Sequence, residues 1–194
     1  LEAADRGVSI ELLVNGLSNQ VKGFERLPLS LLSSNPNFKL KMVGGFNFLK
    51  PWEMNNVMHD KLIIVDDNYL LSSGGNIENR FTMVSENPKP VHDLDVIIKK
   101  NGKASKNSLI QQGINYFNQL WENPYAEDLL EKIKQDSRHL SDEKLEESKL
   151  SMETAFSNHK DLLSNNILQQ LTYHPIDSGH LVHNSVGTLI KEPV

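Results

Sequence analysis

Residue types that handle phosphoryl groups are concentrated in one short stretch. Met58-His59-Asp60-Lys61 leads into the apolar run Leu62 to Val65, then Asp66, and after Asp67 to Ser72 comes Ser73-Gly74-Gly75-Asn76. A neutral imidazole is a nucleophile at phosphorus, an ammonium is a compact charge for non-bridging oxygens, and a carboxamide adds an uncharged donor. His59 and Lys61 stand two apart at the start of the apolar run, so a strand there presents both side chains on one face. Asp66 ends that run. Asp67-Asn68 turns the chain into Tyr69 to Ser72, and the returning strand brings Asn76 back beside His59 and Lys61. Gly74 and Gly75 leave no side chain at that spot, so backbone N–H groups can approach an anion. His59, Lys61, Gly74, Gly75 and Asn76 are therefore expected to form a phosphate-binding pocket. A lone His-x-Lys is ordinarily a surface strand edge. Here the glycines and Asn76 follow it in phase.

The elements that must position these residues alternate between strand and helix signals. Leu1 to Asp5 reads as the end of a helix. Val8 to Val14 reads as a strand that starts after Arg6-Gly7 and stops at Asn15-Gly16. Phe38 to Val43 is a second strand, with Leu40 and Met42 on one face and lysines on the other, ending at Gly44-Gly45. Lys61 to Asp66 is nearly continuous in apolar residues, which predicts a strand covered on both faces, paired as a hairpin with Tyr69 to Ser72. Asp93 to Ile98 is a last strand. Ile110, Ile114, Phe117 and Trp121, spaced i, i+4, i+7, i+11, predict the buried stripe of a closing helix. Strands with helices between them make an α/β fold. Beyond Asn123-Pro124, residues 126–171 are rich in Glu, Lys, Leu and Ser without glycine or proline, which predicts two surface helices broken near Ser137 to Ser141. Tyr173 to Val194 shows no period and reads as a loop or extended connection. The expected organisation is a half-domain over residues 1–124 and a helical extension over 125–194.

The 194 residues, 38% of them hydrophobic, suffice for a core without covalent staples. The absence of cysteine excludes a disulfide framework, a thiolate zinc site and a cysteine nucleophile. A net charge of -5 has the wrong sign for a chain that lives by neutralising phosphate backbones, which disfavours nucleic acid. No run approaches the apolar length of a membrane span, and the opening residues carry neither an apolar leader nor an initiator methionine. The chain is accordingly expected to be a fragment of a longer polypeptide.

The pattern His-x-Lys-x4-Asp-x6-(Gly/Ser)-Gly-x-Asn, filled by His59, Lys61, Asp66, Ser73, Gly74 and Asn76, resembles the HKD motif of the phospholipase D superfamily. It is far more specific than an isolated glycine pattern. Upstream, Ala3-Ala4-Asp5-Arg6-Gly7-Val8 through Leu13 is similar to the helix-to-strand passage of bacterial cardiolipin synthases and related phosphatidyltransferases. Downstream, His92-Asp93-Leu94-Asp95-Val96 followed by Phe117 and Trp121 is similar to another of their segments. Gly74-Gly75-Asn76-Ile77 resembles the first of the two HKD half-domains more than the second. Departures from the pattern are Ser73 for a glycine, Val57 for an arginine and Arg80 for an aromatic or acidic residue. They bear on substrate preference and leave the phosphate-handling residues intact.

The resemblance implies a phospholipase D-like half-domain with α-β-α layers and a mixed sheet. It also implies a ping-pong reaction at a phospholipid phosphodiester that needs no metal or cofactor. His59 would attack phosphorus to give a phosphohistidine while Lys61 and Asn76 hold the non-bridging oxygens. An acidic residue from the following strand would orient the imidazole, which points to Asp93, with Asp95 as its rival. Asp66, at the far end of its strand, would tie the hairpin together. A second histidine must protonate the leaving alcohol. No other histidine here stands in an HKD-like pattern, so a second half-domain, in the same polypeptide or in a homodimer partner, is expected to supply it. The implied setting is a membrane surface in a bacterial cell. The alternatives are a homodimeric single-motif nuclease of the same superfamily and a non-catalytic pairing half-domain. His180-x-x-His183 reads as two solvated histidines in preference to a metal site, lacking a third ligand. Trp52 serves equally as a packing or a substrate-side aromatic.

Overall fold

A computed structural model describes residues 2–15, 26–43, 58–76, 89, 91, 93–102, 107–131, 133, 141–158 and 167–183. Trp52, Val57, Ile77, Arg80 and His92 lie outside the described residues. The fold is mixed α/β, as expected, and it forms two compact units. One comprises Leu1–Val57 with Asn123–Thr172, the other Met58–Glu122 with Tyr173–Val194.

The first unit opens with α1 (Glu2–Asp5). Gly7, at φ 92°, ends it: the Gly7 N–H donates to the Ala4 carbonyl (2.9 Å) and the Val8 N–H to the Ala3 carbonyl (3.1 Å). This left-handed cap requires glycine. Strand β1 (Ile10–Asn15) starts two residues later than its apolar run, because Val8 is spent on that cap. After α2 (Arg26–Ser33), β2 (Phe38–Val43) lies parallel to β1 in the register Leu12 to Leu40. The alternation of β2 holds over its first half, with Phe38 and Leu40 buried and Lys39 exposed; Lys41 and Met42 are both half-buried, and Val43, on the lysine side, is buried. Phe38 and Leu40 join Leu129, Leu130 and Ile133 in one core, with Ile10, Val14, Leu29, Leu32 and Met42 packed around it.

That core corrects the reading of residues 126–171 as helices. Ala126–Asp128 form a strand, β6, antiparallel to β2 with Ala126 opposite Val43. Residues 129–131 and 133 are helical, and Leu129 follows β6 directly into the core. A three-residue strand holding Glu127 and Asp128 carries no legible period. α4 (Asp142–Asn158) is the surface helix expected there, and α5 (Ile167–Gln170) is a single turn.

The second unit is an antiparallel meander of β3 (Lys61–Val65), β4 (Tyr69–Ser73) and β5 (Asp95–Lys99), followed by α3 (Leu109–Trp121). Asp66 and Asp67 hold φ of 48° and 53°, and the Asn68 N–H donates to the Val65 carbonyl at 2.9 Å. Two consecutive left-handed residues are what a type I′ turn needs. Ser108 caps α3, its hydroxyl accepting from the Gln111 N–H at 3.2 Å. The helix buries Ile110, as expected, and then Gly113, Tyr116 and Leu120, each one residue before the expected Ile114, Phe117 and Trp121. The reason is Leu70, fully buried, whose side chain sits against Gly113 where any side chain would collide with it. The expectation that β3 is covered on both faces is corrected as well. Ile63 is 50% and Val65 48% exposed, because α3 covers the face of Leu62, Ile64 and Leu70 and a meander leaves the alternate residues facing outward.

Candidate functional site

The hairpin delivers the motif residues to one end of the second sheet. Lys61 pairs with Ser73 and Ser73 with Asp95, a row across all three strands with its side chains on one face. His59, two residues before Lys61, continues that face. The Lys61 Nζ lies 3.1 Å from both ring nitrogens of His59. An ammonium only donates and an imidazole accepts at one nitrogen, so one of these two contacts can be a hydrogen bond, and which one depends on the tautomer.

The glycine turn beyond β4 is organised by Ser73. Its hydroxyl accepts from the Gly75 N–H at 3.1 Å and donates to the Gly75 carbonyl at 3.2 Å. Gly75 is thus buried with its own N–H engaged, and Asn76 follows it in an exposed position. Gly74 lies against Asp93: a methyl group at Gly74 would overlap the Asp93 carboxylate where it stands. Asp93 itself precedes β5, which begins at Asp95 and not at Asp93. Its Oδ1 accepts the N–H of Leu94 at 2.8 Å, a local bond that stands in for strand pairing. Asp93 therefore faces the glycine turn, and Asp95 occupies the row of Lys61 and Ser73. Asp66 lies at the opposite end of the hairpin, in its turn.

His59, Asp60, Lys61, Ser73 and Gly74 line a cleft of about 230 Å³. Two further walls come from distant parts of the chain. One is Tyr116 of α3, whose hydroxyl donates to the Asp60 carboxylate at 2.6 Å. Burial, then the hydrogen bond to Asp60 and its charge, push the Tyr116 phenol well above its ordinary value, so it stays protonated and donating. The other is Leu181 to His183, from the segment read as a periodless connection. The His183 ring stacks on the Tyr116 ring with centroids 3.8 Å apart and planes 24° apart, while the residue stays exposed, in keeping with its reading as solvated. No sequence signal links Tyr116 to Asp60 or His183. They meet only because α3 crosses the start of β3.

The model of the cardiolipin synthase, phospholipase D-like domain matches residues 1–121. The chain belongs to that family. No curated protein matches the chain. The matched residues include the His59 to Asn76 motif, the Asp93 to Ile98 segment and α3, so both sides of the Tyr116 to Asp60 bond fall within the family domain. Residues 173–183 lie outside it. Among the described residues no three His, Cys, Asp or Glu side chains gather as a metal-binding group, and no helix is long and apolar enough to cross a membrane.

Proposed function

We propose that this cleft cleaves or transfers phospholipid phosphodiesters through a phosphohistidine on His59. The observation that carries the reading is the Lys61 ammonium against both His59 ring nitrogens, in the mouth of a cleft walled by the Gly74 turn. His59 attacks phosphorus, and Lys61 and Asn76 take the non-bridging oxygens as charge develops in the transition state. The glycine turn admits the phosphoryl group at close range. Asp93, against Gly74, orients the imidazole from that side. Water or an alcohol then resolves the covalent intermediate, giving hydrolysis or phosphatidyl transfer. Asp66 keeps the hairpin turned and touches no substrate. The same proposal takes residues 1–124 as a half-domain and 125–194 as its extension, paired with a second half-domain at a bacterial membrane surface.

The test is substrate choice. Phosphatidylglycerol in mixed micelles and a single-stranded oligonucleotide are offered to the wild type and to His59→Asn. Turnover of the lipid alone, abolished in the variant, supports the reading. Turnover of the oligonucleotide alone transfers the site to a nuclease, and equal lipid turnover in both proteins removes His59 from the chemistry.

A further inference from the structure

The pairing of β3 with β4 begins at Lys61, opposite Ser73, so His59 and Asp60 stand ahead of the ladder. Strand hydrogen bonds therefore fix Lys61 and end before the residue proposed to attack phosphorus. Tyr116 reaches this stretch from outside the sheet: its hydroxyl donates to the Asp60 carboxylate at 2.6 Å. Asp60 separates His59 from Lys61 and shares its parity with Leu62 and Ile64, the side of the sheet on which α3 packs. A bond on that side holds the backbone from which His59 and Lys61 project on the other. The donor is firmly held. Tyr116 is 5% exposed, His183 stacks on its ring, and Gly113, one turn earlier on the same line of α3, receives the Leu70 side chain of β4. The absence of a side chain at Gly113 lets the helix lie close to the sheet, and a buried phenol hydroxyl needs an acceptor. Asp60 is that acceptor.

Resting on the phosphodiester reading of this cleft, we infer that Tyr116 is a positioning residue for the nucleophile, its bond to Asp60 fixing the chain on which His59 meets Lys61 and the phosphoryl group. Tyr116 touches no reacting atom in this role. Its effect passes through Asp60 to the placement of the imidazole, where an error of about 1 Å can cost on the order of 10²-fold in rate. Ring and hydroxyl have separable tasks. The ring fills the buried contact of α3 and is kept by Tyr116→Phe, which removes only the bond. Asp60→Asn retains a carbonyl oxygen to accept it, and Asp60→Ala does not.

Burst kinetics separate positioning from stability. The intact chain is mixed with bis(p-nitrophenyl) phosphate, whose phenolate leaves without a proton, so the first step needs His59 and no second histidine. In that step the His59 nitrogen bonds to phosphorus as the bond to the p-nitrophenolate oxygen breaks. The burst rate constant reports the placement of the imidazole, and the burst amplitude counts folded chains. Tyr116→Phe is expected to keep the wild-type amplitude and half-saturation while its burst rate constant falls about 10- to 10²-fold. Asp60→Ala should match it, the double variant should be no slower than either single one, and Asp60→Asn should recover most of the rate. A Tyr116→Phe burst at the wild-type rate overturns the inference, as does a smaller amplitude with an unchanged rate constant, which is loss of folded protein alone. Losses that multiply in the double variant overturn it too, since the two side chains then act separately. Each of these results leaves the proposed function standing when the wild type bursts and His59→Asn does not. A wild type without a burst contradicts both.

Discussion

The two three-stranded sheets meet the same requirement, burial of an apolar face, by different connections. In the first, β1 and β2 are parallel, so a helix must cross between them, and β6 returns only after Asn123 to close the edge. Its strand middles are spent on packing: Phe38 and Leu40 face Leu129, Leu130 and Ile133. In the second, β3 turns directly into β4, so residues near in sequence converge at one end of the sheet. There, strand parity separates two tasks. Asp60, Leu62, Ile64 and Leu70 turn toward α3, and His59, Lys61, Ser73 and Asp95 take the alternate face. The motif residues sit at the ends of short-looped strands, and α3, which covers one face of that sheet, supplies Tyr116 to the cleft they line.

The largest expected effect is at the two aspartates beside the motif. Asp93→Asn should lower kcat by about 10- to 10⁴-fold with the fold retained, the range expected when a nucleophile loses its orienting carboxylate, and Asp95→Asn should be nearly silent. Steady-state kinetics of the two variants with phosphatidylglycerol decide it. A silent Asp93→Asn beside a damaged Asp95→Asn would move the orienting role from the glycine turn to the Lys61–Ser73–Asp95 row.

Packing comes next. Leu70→Ala removes the side chain that fills the space over Gly113 and should cost about 2–5 kcal/mol in urea unfolding. A cost under about 1 kcal/mol would mean that α3 is not anchored by this contact.

Tyr116→Phe should cost about 1 kcal/mol through the lost bond to Asp60. It also has a pH signature. The phenol's pKa is raised on folding above its ordinary value near 10, so the folded chain keeps this proton into more alkaline solution than the unfolded chain does. The stabilisation is complete below about pH 10 and fades as pH rises beyond it. Melting temperatures between pH 8 and 11 should therefore fall less steeply for Tyr116→Phe than for the wild type. Parallel slopes would contradict a phenol buried against Asp60. Smallest of all is Ile63→Thr, on the exposed face of β3, expected to stay within about 0.5 kcal/mol by the same urea measurement.

What was legible in the sequence followed from local pattern. The alternation of Leu40 and Met42 with Lys39 and Lys41 marks β2, and Asp66-Asp67-Asn68 between apolar runs marks the hairpin whose register brings Lys61 beside Ser73. The His59 to Asn76 motif led to the family that the domain match establishes. What escaped depended on contacts between distant elements. An apolar run does not say which of its faces is covered, so Ile63 and Val65 look like core. Gly113 carries no hydrophobic signal, yet it is where Leu70 packs, so apolar spacing alone points the stripe away from Tyr116. β6 is too short and too acidic to show a period. Residues 173–183 have none either, and their place along α3 rests on the two ends of one carboxamide, that of Gln112.

The central claim is a covalent bond between His59 and phosphorus. A phospholipid carrying a labelled phosphoryl group, quenched in alkali during turnover, tests it most directly. Label is expected on the peptide containing His59, stable in alkali and released by acid, and none on His59→Asn. Full activity with no label on any wild-type peptide across the time course would contradict it.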